Sequence, residues 1–359
     1  MTSARIRLAS PLLGLALVAA GCSTMAGGEE TAEPAPSAEG ATGSGQVVLL
    51  THESFALPKK LVRQFERQSG YDLVPRATGD AGELSAKLSL TADNPVGDVA
   101  FGVDNTFASR PLAEGVFEAH EAELPPGAEQ YALPDGADRL APVDVAHVCV
   151  NVDTRWFEEE GLRPPRTLAD LTKPAYRGLF VTSAASTSSP GMAFLLSTIA
   201  EHGDRWQDYW KDLVANDVRI VSGWEDAYFT DFTAGGDGDR PIVLSYDSSP
   251  AFTIDKRTGE STTAALLDTC FRQVEYAGVL EGADNPEGAR AVVDFLLSDD
   301  VQAALPTSMY VFPVSDEVEL PADWAKHAQQ PTDPYTVDPA EIAAQREQWL
   351  TEWTDVTTR

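Results

Sequence analysis

The run QVVLLTHESFALPKKLVRQFERQSGYDLVPRA, residues 46–77, decides the fold class. Gln46 to Thr51 is an apolar run of the kind seen in strands covered on both faces. Leu57, Leu61 and Phe65 then recur at helical spacing, and that helix ends near Gly70. Tyr71 to Ala77 reads as a second strand, Glu83 to Thr91 as a helix and Asp98 to Val103 as a third strand. Repeated βαβ units of this kind build a parallel sheet with helices on both faces.

Working outward, Ala141 to Asp153 is long and alternating, with Val143, Val145, His147, Cys149 and Asn151 on one side. It can carry the chain from one lobe to another. A second set of elements follows it. After the turn at Pro164-Pro165 come a helix near Leu168 to Leu171, a strand at Gly178 to Thr182 and helices from Pro190 and through Trp206 to Val214. Strands at Arg219 to Ser222 and Ile242 to Tyr246 complete the set. Cys270 to Val279 reads as a return strand. Asn285-Pro286-Glu287 and Asp338-Pro339-Ala340-Glu341 each place a capping residue before a first-turn proline. The expected architecture is α/β with two lobes, each a mostly parallel sheet flanked by helices, joined by two hinge crossings. Residues 46–146 with 270–359, including the C-terminal helices, form the first lobe and 147–269 the second. Ligands in such sheets lie beyond the carboxyl ends of the strands, which the two crossings place across a cleft.

The first 45 residues stand apart. Arg5 and Arg7 precede an apolar stretch from Leu8 to Ala20, too short to span a bilayer, and residues 1–21 read as a secretory signal. Ala20-Gly21-Cys22 resembles a lipobox, with Ala19 where Leu is usual. Cys22 is thus the expected acylation site, and residues 22–45, built from Ala, Gly, Glu, Pro, Ser and Thr, are a flexible tether. The expected location is the extracytoplasmic face of the cell membrane, held by lipid. Without Arg5 and Arg7 the net charge moves from −30 to −32, which argues against nucleic acid and anionic headgroups as partners. With Cys22 acylated, Cys149 and Cys270 remain in an oxidising compartment, either as a disulfide or as two buried thiols.

Enzyme signatures are largely missing. The histidines at 52, 120, 147, 202 and 327 lack metal-ligand spacing, and there is no Cys-x-x-Cys, nucleophile elbow or Walker loop. No metal and no cofactor is expected. Gly235-Gly236-Asp237-Gly238 reads as a surface turn. Polar and aromatic clusters instead follow the strands: Thr51 to Phe55, Gly79-Asp80, Asp104-Asn105 and Ser186 to Gly191. Gly223 to Tyr228, Ser245 to Phe252 and Pro306 to Pro313 continue the set.

The most specific blocks are Glu53-Ser54-Phe55, Val103-Asp104-Asn105, Ser189-Pro190-Gly191, Gly223-Trp224 with Ala227-Tyr228, Leu244-Ser245-Tyr246 with Ser249-Pro250-Ala251, and Ala343-Ala344-Gln345-Arg346. Through them the chain from Val47 to Arg359 resembles the thiamine-binding proteins of bacterial ABC uptake systems, which have the type II periplasmic-binding-protein fold. That resemblance implies a monomer that captures thiamine or a thiamine phosphate and hands it to a membrane permease. It also implies roles. Asp80 would accept from the aminopyrimidine, and Trp224 and Tyr246 would stack on the rings. Ser188, with the N–H groups near Gly191, would meet the hydroxyethyl or phosphate end. Tyr228, Asp104 and Asn105 belong to the same blocks. His52, Phe252 and Tyr310 stand where Tyr, Tyr and Trp are expected, so a hydroxyl is lost at Phe252. The alternatives are a binding protein for iron or a polyamine, and a thiaminase-like enzyme needing a reactive cleft cysteine.

Overall fold

The computed structural model of the chain describes residues 45–358. The signal, the Cys22 acylation site and the tether as far as residue 44 lie outside the described residues. The first elements are β1 (Gln46–Thr51), α1 (Lys59–Ser69), β2 (Asp72–Ala77), α2 (Ala81–Leu90), β3 (Val99–Asp104) and α3 (Ser109–Ala113). The middle of the chain holds β4 (Ala141–Asp153), α4 (Thr154–Glu159), β5 (Phe180–Ser183), α5 (Ser189–His202), α6 (Trp206–Ala215), β6 (Arg219–Val221), β7 (Ile242–Tyr246) and β8 (Thr263–Ala265). Then follow β9 (Phe271–Val279), α7 (Pro286–Leu297), α8 (Asp299–Ser308), β10 (Phe312–Pro313), α9 (Ala322–His327) and α10 (Pro339–Thr357).

The strands form one sheet in the order β2-β1-β3-β9-β4-β7-β5-β6, with β8 and β10 also pairing with β4. At one end β2, β1 and β3 run parallel, and at the other β7, β5 and β6 do. Between them the antiparallel ladder of β4 and β9 is the double crossing that joins the two lobes. All thirteen residues of β4 are buried. Its alternation therefore sorts side chains between interior layers. Val148, Val150 and Val152 enter the second lobe's core, and Val143 and Ala146 that of the first.

Local chemistry sets the element ends. Gly70 takes the left-handed conformation after α1, and its N–H donates to Glu66 O (3.0 Å), a usual helix stop. Asn285 Oδ1 accepts from Gly288 N (3.1 Å), with Pro286 in the first turn of α7. The segment expected as a helix near Leu168 is a short 3₁₀ turn with a capping box from Thr167 and Asp170.

Sequence order groups α10 with the first lobe, but its buried residues Ile342, Trp349 and Trp353 sit in the core formed by Phe180, Phe194 and Trp210. Trp353 meets Trp210 edge-on, with ring centroids 5.5 Å apart. Arg346 on the same helix lies 4.4 Å over the Phe107 ring, just beyond β3. The terminal helix thus straps the second lobe to the exit of the first.

Cys149 at the second-lobe end of β4 and Cys270 at the start of β9 form a disulfide with Cα atoms 4.2 Å apart. The bridge closes a loop with a sequence separation of 121 residues, which contains the second-lobe strands. Cross-links over loops of this length stabilise folded domains by roughly 2–5 kcal/mol. Replacing both cysteines with serine is expected to lower the thermal midpoint by several degrees, measured by calorimetry, without changing the far-ultraviolet circular dichroism at room temperature.

Candidate functional site

Between the lobes lies a cavity of about 250 Å³. Its walls come from the loops after β1, β7 and β6, the start of α2, the middle of β9 and the segment after α8. Two chemistries meet there. Trp224, Tyr228, Phe229, Tyr246, Phe252 and Tyr310 supply flat aromatic faces. Glu53, Asp80, Glu225 and Glu275 supply carboxyl groups, and no Lys or Arg is in the lining.

The aromatic wall is interlocked. Trp224 stacks on Tyr228 at 5.1 Å and 27° and meets Tyr246 edge-on at 5.7 Å. Its indole N–H donates to Ser245 Oγ (2.9 Å), so the ring orientation is fixed from β7. A π-helical turn at Asp226–Asp231 follows directly and turns Phe229 outward beside Trp224. Phe252 meets Tyr310 edge-on at 5.1 Å. Tyr310 has φ 58°, a left-handed conformation uncommon for an aromatic residue, held by its N–H to Leu305 O and by Ser248 Oγ donating to its carbonyl. Backbone held this way costs about 1–3 kcal/mol and concentrates at ligand sites.

The carboxyl groups bind the lobes together. Asp80 caps α2, with Oδ1 accepting from Ala81 N at 2.6 Å. Across the seam the same carboxylate accepts from Trp224 N (2.9 Å) and Ser189 N (3.4 Å). Ser54 Oγ donates to Glu225 Oε1 (3.0 Å), and Gly82 N to Thr187 O (3.0 Å). A carboxylate offers about four acceptor positions, so Asp80 keeps room for one more donor. Burial and then the charges of Glu225, Asp80, Asp226 and Glu83 push the Glu53 pKa up.

His52 follows β1 and is seated by a bulge in β3. Gly102 there has φ +100°, and a Cβ would lie 2.2 Å from the imidazole Cδ2. Burial acts to lower the His52 pKa, but the Glu275 carboxylate, with Asp80 and Glu53 behind it, outweighs that and leaves it above the ordinary value. His52 Nε2 is 3.5 Å from Glu275 Oε1.

Of the residues expected in the site, the fold brings Asp80, Trp224, Tyr246, His52, Phe252, Tyr310 and Tyr228 to the cavity. Four others lie behind it. Asp104 is fully buried and accepts from Thr106 N and Oγ1 (2.6 Å each), Phe107 N (3.0 Å) and the Ser189 hydroxyl. Asn105 pins β3 to β9 by donating to Arg272 O (3.2 Å) and accepting from Val274 N (2.8 Å). Ser188 donates to Ser183 Oγ (2.8 Å) in a fully buried position. Gly191 is there because a Cβ would meet Ala184 O at 2.3 Å. Ser189 is the member of that block that reaches the cavity. Glu275 was missed by sequence reading. Its signal was a charge two positions after Gln273, on the same side of β9, followed by the apolar run Tyr276 to Val279.

A model of the bacterial extracellular solute-binding protein family matches residues 94–336, well over half of the chain. The chain belongs to that family. Among individual relatives, the thiamine-binding periplasmic protein of Escherichia coli strain K12 is 29% identical over 314 residues, covering 86% of this chain and 92% of that protein. A solved periplasmic thiamin binding protein superposes with a TM-score of 0.77 at 27% identity, covering 88% of this chain and 96% of that one. Iron uptake protein A2 of Synechocystis is 26% identical over 291 residues, covering 72% of this chain. These likenesses make the fold the two-lobed type II arrangement and the role of the family solute binding. Among the described residues, no group of three or more His, Cys, Asp or Glu side chains could hold a metal ion, and no helix is long and apolar enough to cross a membrane. Both cysteines of the described residues are consumed by the disulfide.

Burial pushes the Asp104 pKa up to about 7, against the hydrogen bonds from Thr106, which act to lower it. An acid raised in the folded state contributes stability that is fully present below its unfolded pKa and is lost as pH rises towards about 7. Asp104→Asn keeps an acceptor for the turn and does not ionise. Urea titrations from pH 4 to 7 should therefore show a flatter decline in stability for this variant than for the wild type.

Proposed function

We propose that this solute-binding protein captures thiamine in the interlobe cavity and delivers it to an ABC permease from a position anchored at the extracytoplasmic membrane face through Cys22. The observation that carries the reading is the composition of the cavity wall: an aromatic wall facing a set of carboxyl groups with no resident Lys or Arg. Thiamine is a permanent thiazolium cation joined to an aminopyrimidine. Aromatic faces attract such cations by about 0.5–2 kcal/mol per contact. Trp224, Tyr246, Phe252 and Tyr310 supply those faces, and Asp80 accepts from the exocyclic amine with a charge-assisted bond. Glu275 faces the positive ring. Binding at nanomolar strength needs about −12 kcal/mol, so several contacts and lobe closure act together.

The same wall favours thiamine over its phosphates. Ser188 and Gly191, to which a phosphate was assigned from sequence, are packed away from the cavity, and the Ser189 N–H already donates to Asp80. A phosphate would enter a cavity lined by four carboxyl groups and no Lys or Arg. The similarity to iron uptake proteins supports a second reading, but among the described residues no group of three or more His, Cys, Asp or Glu side chains could hold a metal ion.

Mass spectrometry of small molecules released from natively purified protein should find thiamine. Calorimetry should show thiamine binding at least about tenfold more tightly than thiamine diphosphate, since like charges disfavour each other in a closed site. Trp224→Ala should weaken thiamine by about tenfold or more, because one lost aromatic contact in a desolvated site is worth roughly 1–2 kcal/mol. An unchanged titration curve would remove Trp224 from the site, and absence of any heat with thiamine would refute the reading.

A further inference from the structure

Asp144 on β4 is the direct ladder partner of Glu275 on β9. Asp144 is fully buried, and neither of its carboxylate oxygens receives a hydrogen bond from an N–H or O–H group among the described residues. Burial pushes its pKa well up, with the Glu275 charge adding to it. Burial and the facing Glu275 carboxyl group both act against a negative charge on Asp144. The other titratable neighbour of Glu275 is His52, at 3.5 Å. Around this pair stand Asp80 from the start of α2, Glu53 beyond β1, Asp104 from β3 and Tyr246 from β7. His52 and Glu275 line the cavity, whereas Asp144 does not. The cleft thus already holds a basic ring 3.5 Å from the carboxyl group best placed to receive a cation.

We propose that Glu275 selects a permanently charged ligand and that His52 is the resident cation it displaces, so that each capture releases the imidazolium proton to solvent. The inference rests on the thiamine reading and adds to it the charge accounting of the site. A thiazolium seated against Glu275 takes over the role of the imidazolium; the N–H bond of His52 breaks, the proton leaves to buffer, and the neutral ring stays as a flat wall. No charge is added to the cavity by binding. A neutral ligand of the same shape would leave His52 protonated and gain nothing from Glu275. Because capture favours the neutral imidazole, affinity rises with pH until His52 is neutral in the empty cleft, a point above its ordinary 6.5. Below that point one linked proton changes affinity by up to about tenfold per pH unit.

The test is calorimetry of the whole protein with thiamine from pH 6 to 8, in pairs of buffers with different ionisation enthalpies. The wild type should release a proton, read as a heat that varies with the buffer, and bind more tightly as pH rises. His52→Asn and His52→Gln should lose the buffer dependence and bind with nearly constant affinity over that range. Glu275→Gln should weaken thiamine by about tenfold or more while leaving a neutral carbocyclic analogue of its thiazolium ring nearly unaffected. Thermal melts check that each variant is folded, and the wild-type series needs no variant. Tight thiamine binding by the wild type without proton release overturns this inference and leaves the thiamine reading standing. Proton release that persists in both His52 variants overturns it as well. No binding of thiamine at all overturns both.

Discussion

The antiparallel ladder of β4 and β9 is the constraint on which the molecule depends. It is the double crossing between the two lobes, it is buried almost throughout, and the disulfide locks its second-lobe end. Movement of one lobe against the other bends or twists these two strands and loads the α10 strap. The same strands carry the Asp144–Glu275 pair in register, so the carboxylate at the floor of the cavity is fixed to the hinge itself. Position of charge and freedom of motion are consequently set by one set of hydrogen bonds. The bulges in this region, between Pro142 and Asp144 and at Gly102 in β3, add local twist where the side chains turn into the cavity.

The two lobes contribute different chemistry to the cleft. The first-lobe strands bring His52, Glu53 and Asp80, which are polar and titratable. Loops after β6 and β7 bring Trp224, Tyr228, Phe229, Tyr246 and Phe252, which are flat and apolar. Neither wall alone would hold an aromatic cation strongly in water, where charges four ångströms apart are worth about 1 kcal/mol. Closing the walls on each other removes the water between them and strengthens each contact. Asp80 is the hinge point of this logic, because its carboxylate ends one helix and accepts backbone N–H groups of the opposite wall. The same carboxylate thus lines the cavity and ties the two walls together.

Much of the fold was legible because the strands and helices announce themselves locally. The apolar run at Gln46–Thr51, the stop at Gly70 and the Asn285-Pro286 cap depend only on near neighbours in sequence. What sequence could not show is which surface a finished element touches. The α10 helix reads as a C-terminal addition to the first lobe, yet its Trp353 packs on Trp210 and its Trp349 sits in the same core, because amphipathicity defines a buried face without naming its partner. The same gap explains the site. Asp104 and Asn105 follow a strand as ligand-contacting residues often do, but their side chains close the turn and pin β9. Ser188 and Ser189 differ by one position, and that single step decides which points to the cavity. Glu275 escaped notice because a charge in a strand is read first as a surface position, and only the sheet order shows that β9 has strands on both sides.

The cost of the buried charges identifies their purpose. Two carboxyl groups facing each other across a central ladder, with an imidazole on one of them, are a poor way to stabilise a sheet. Apolar residues of similar size at such positions often match or exceed the stability of a buried ionic group. The neighbours show what that alternative looks like: Val143, Val145, Val274 and Ala277 on the same two strands are packed into apolar cores. Asp144 lacks any hydrogen-bond donor of its own among the described residues, so no structural network compensates for its burial. A site that must present one negative charge to an incoming organic cation, and hold it neutralised while empty, requires this arrangement. Burial of the acid on β4 acts against a second negative charge beside Glu275, and the imidazole of His52 lies 3.5 Å from Glu275. On the proposal above, stability is given up at the hinge for a charge that a cation can take over from a proton.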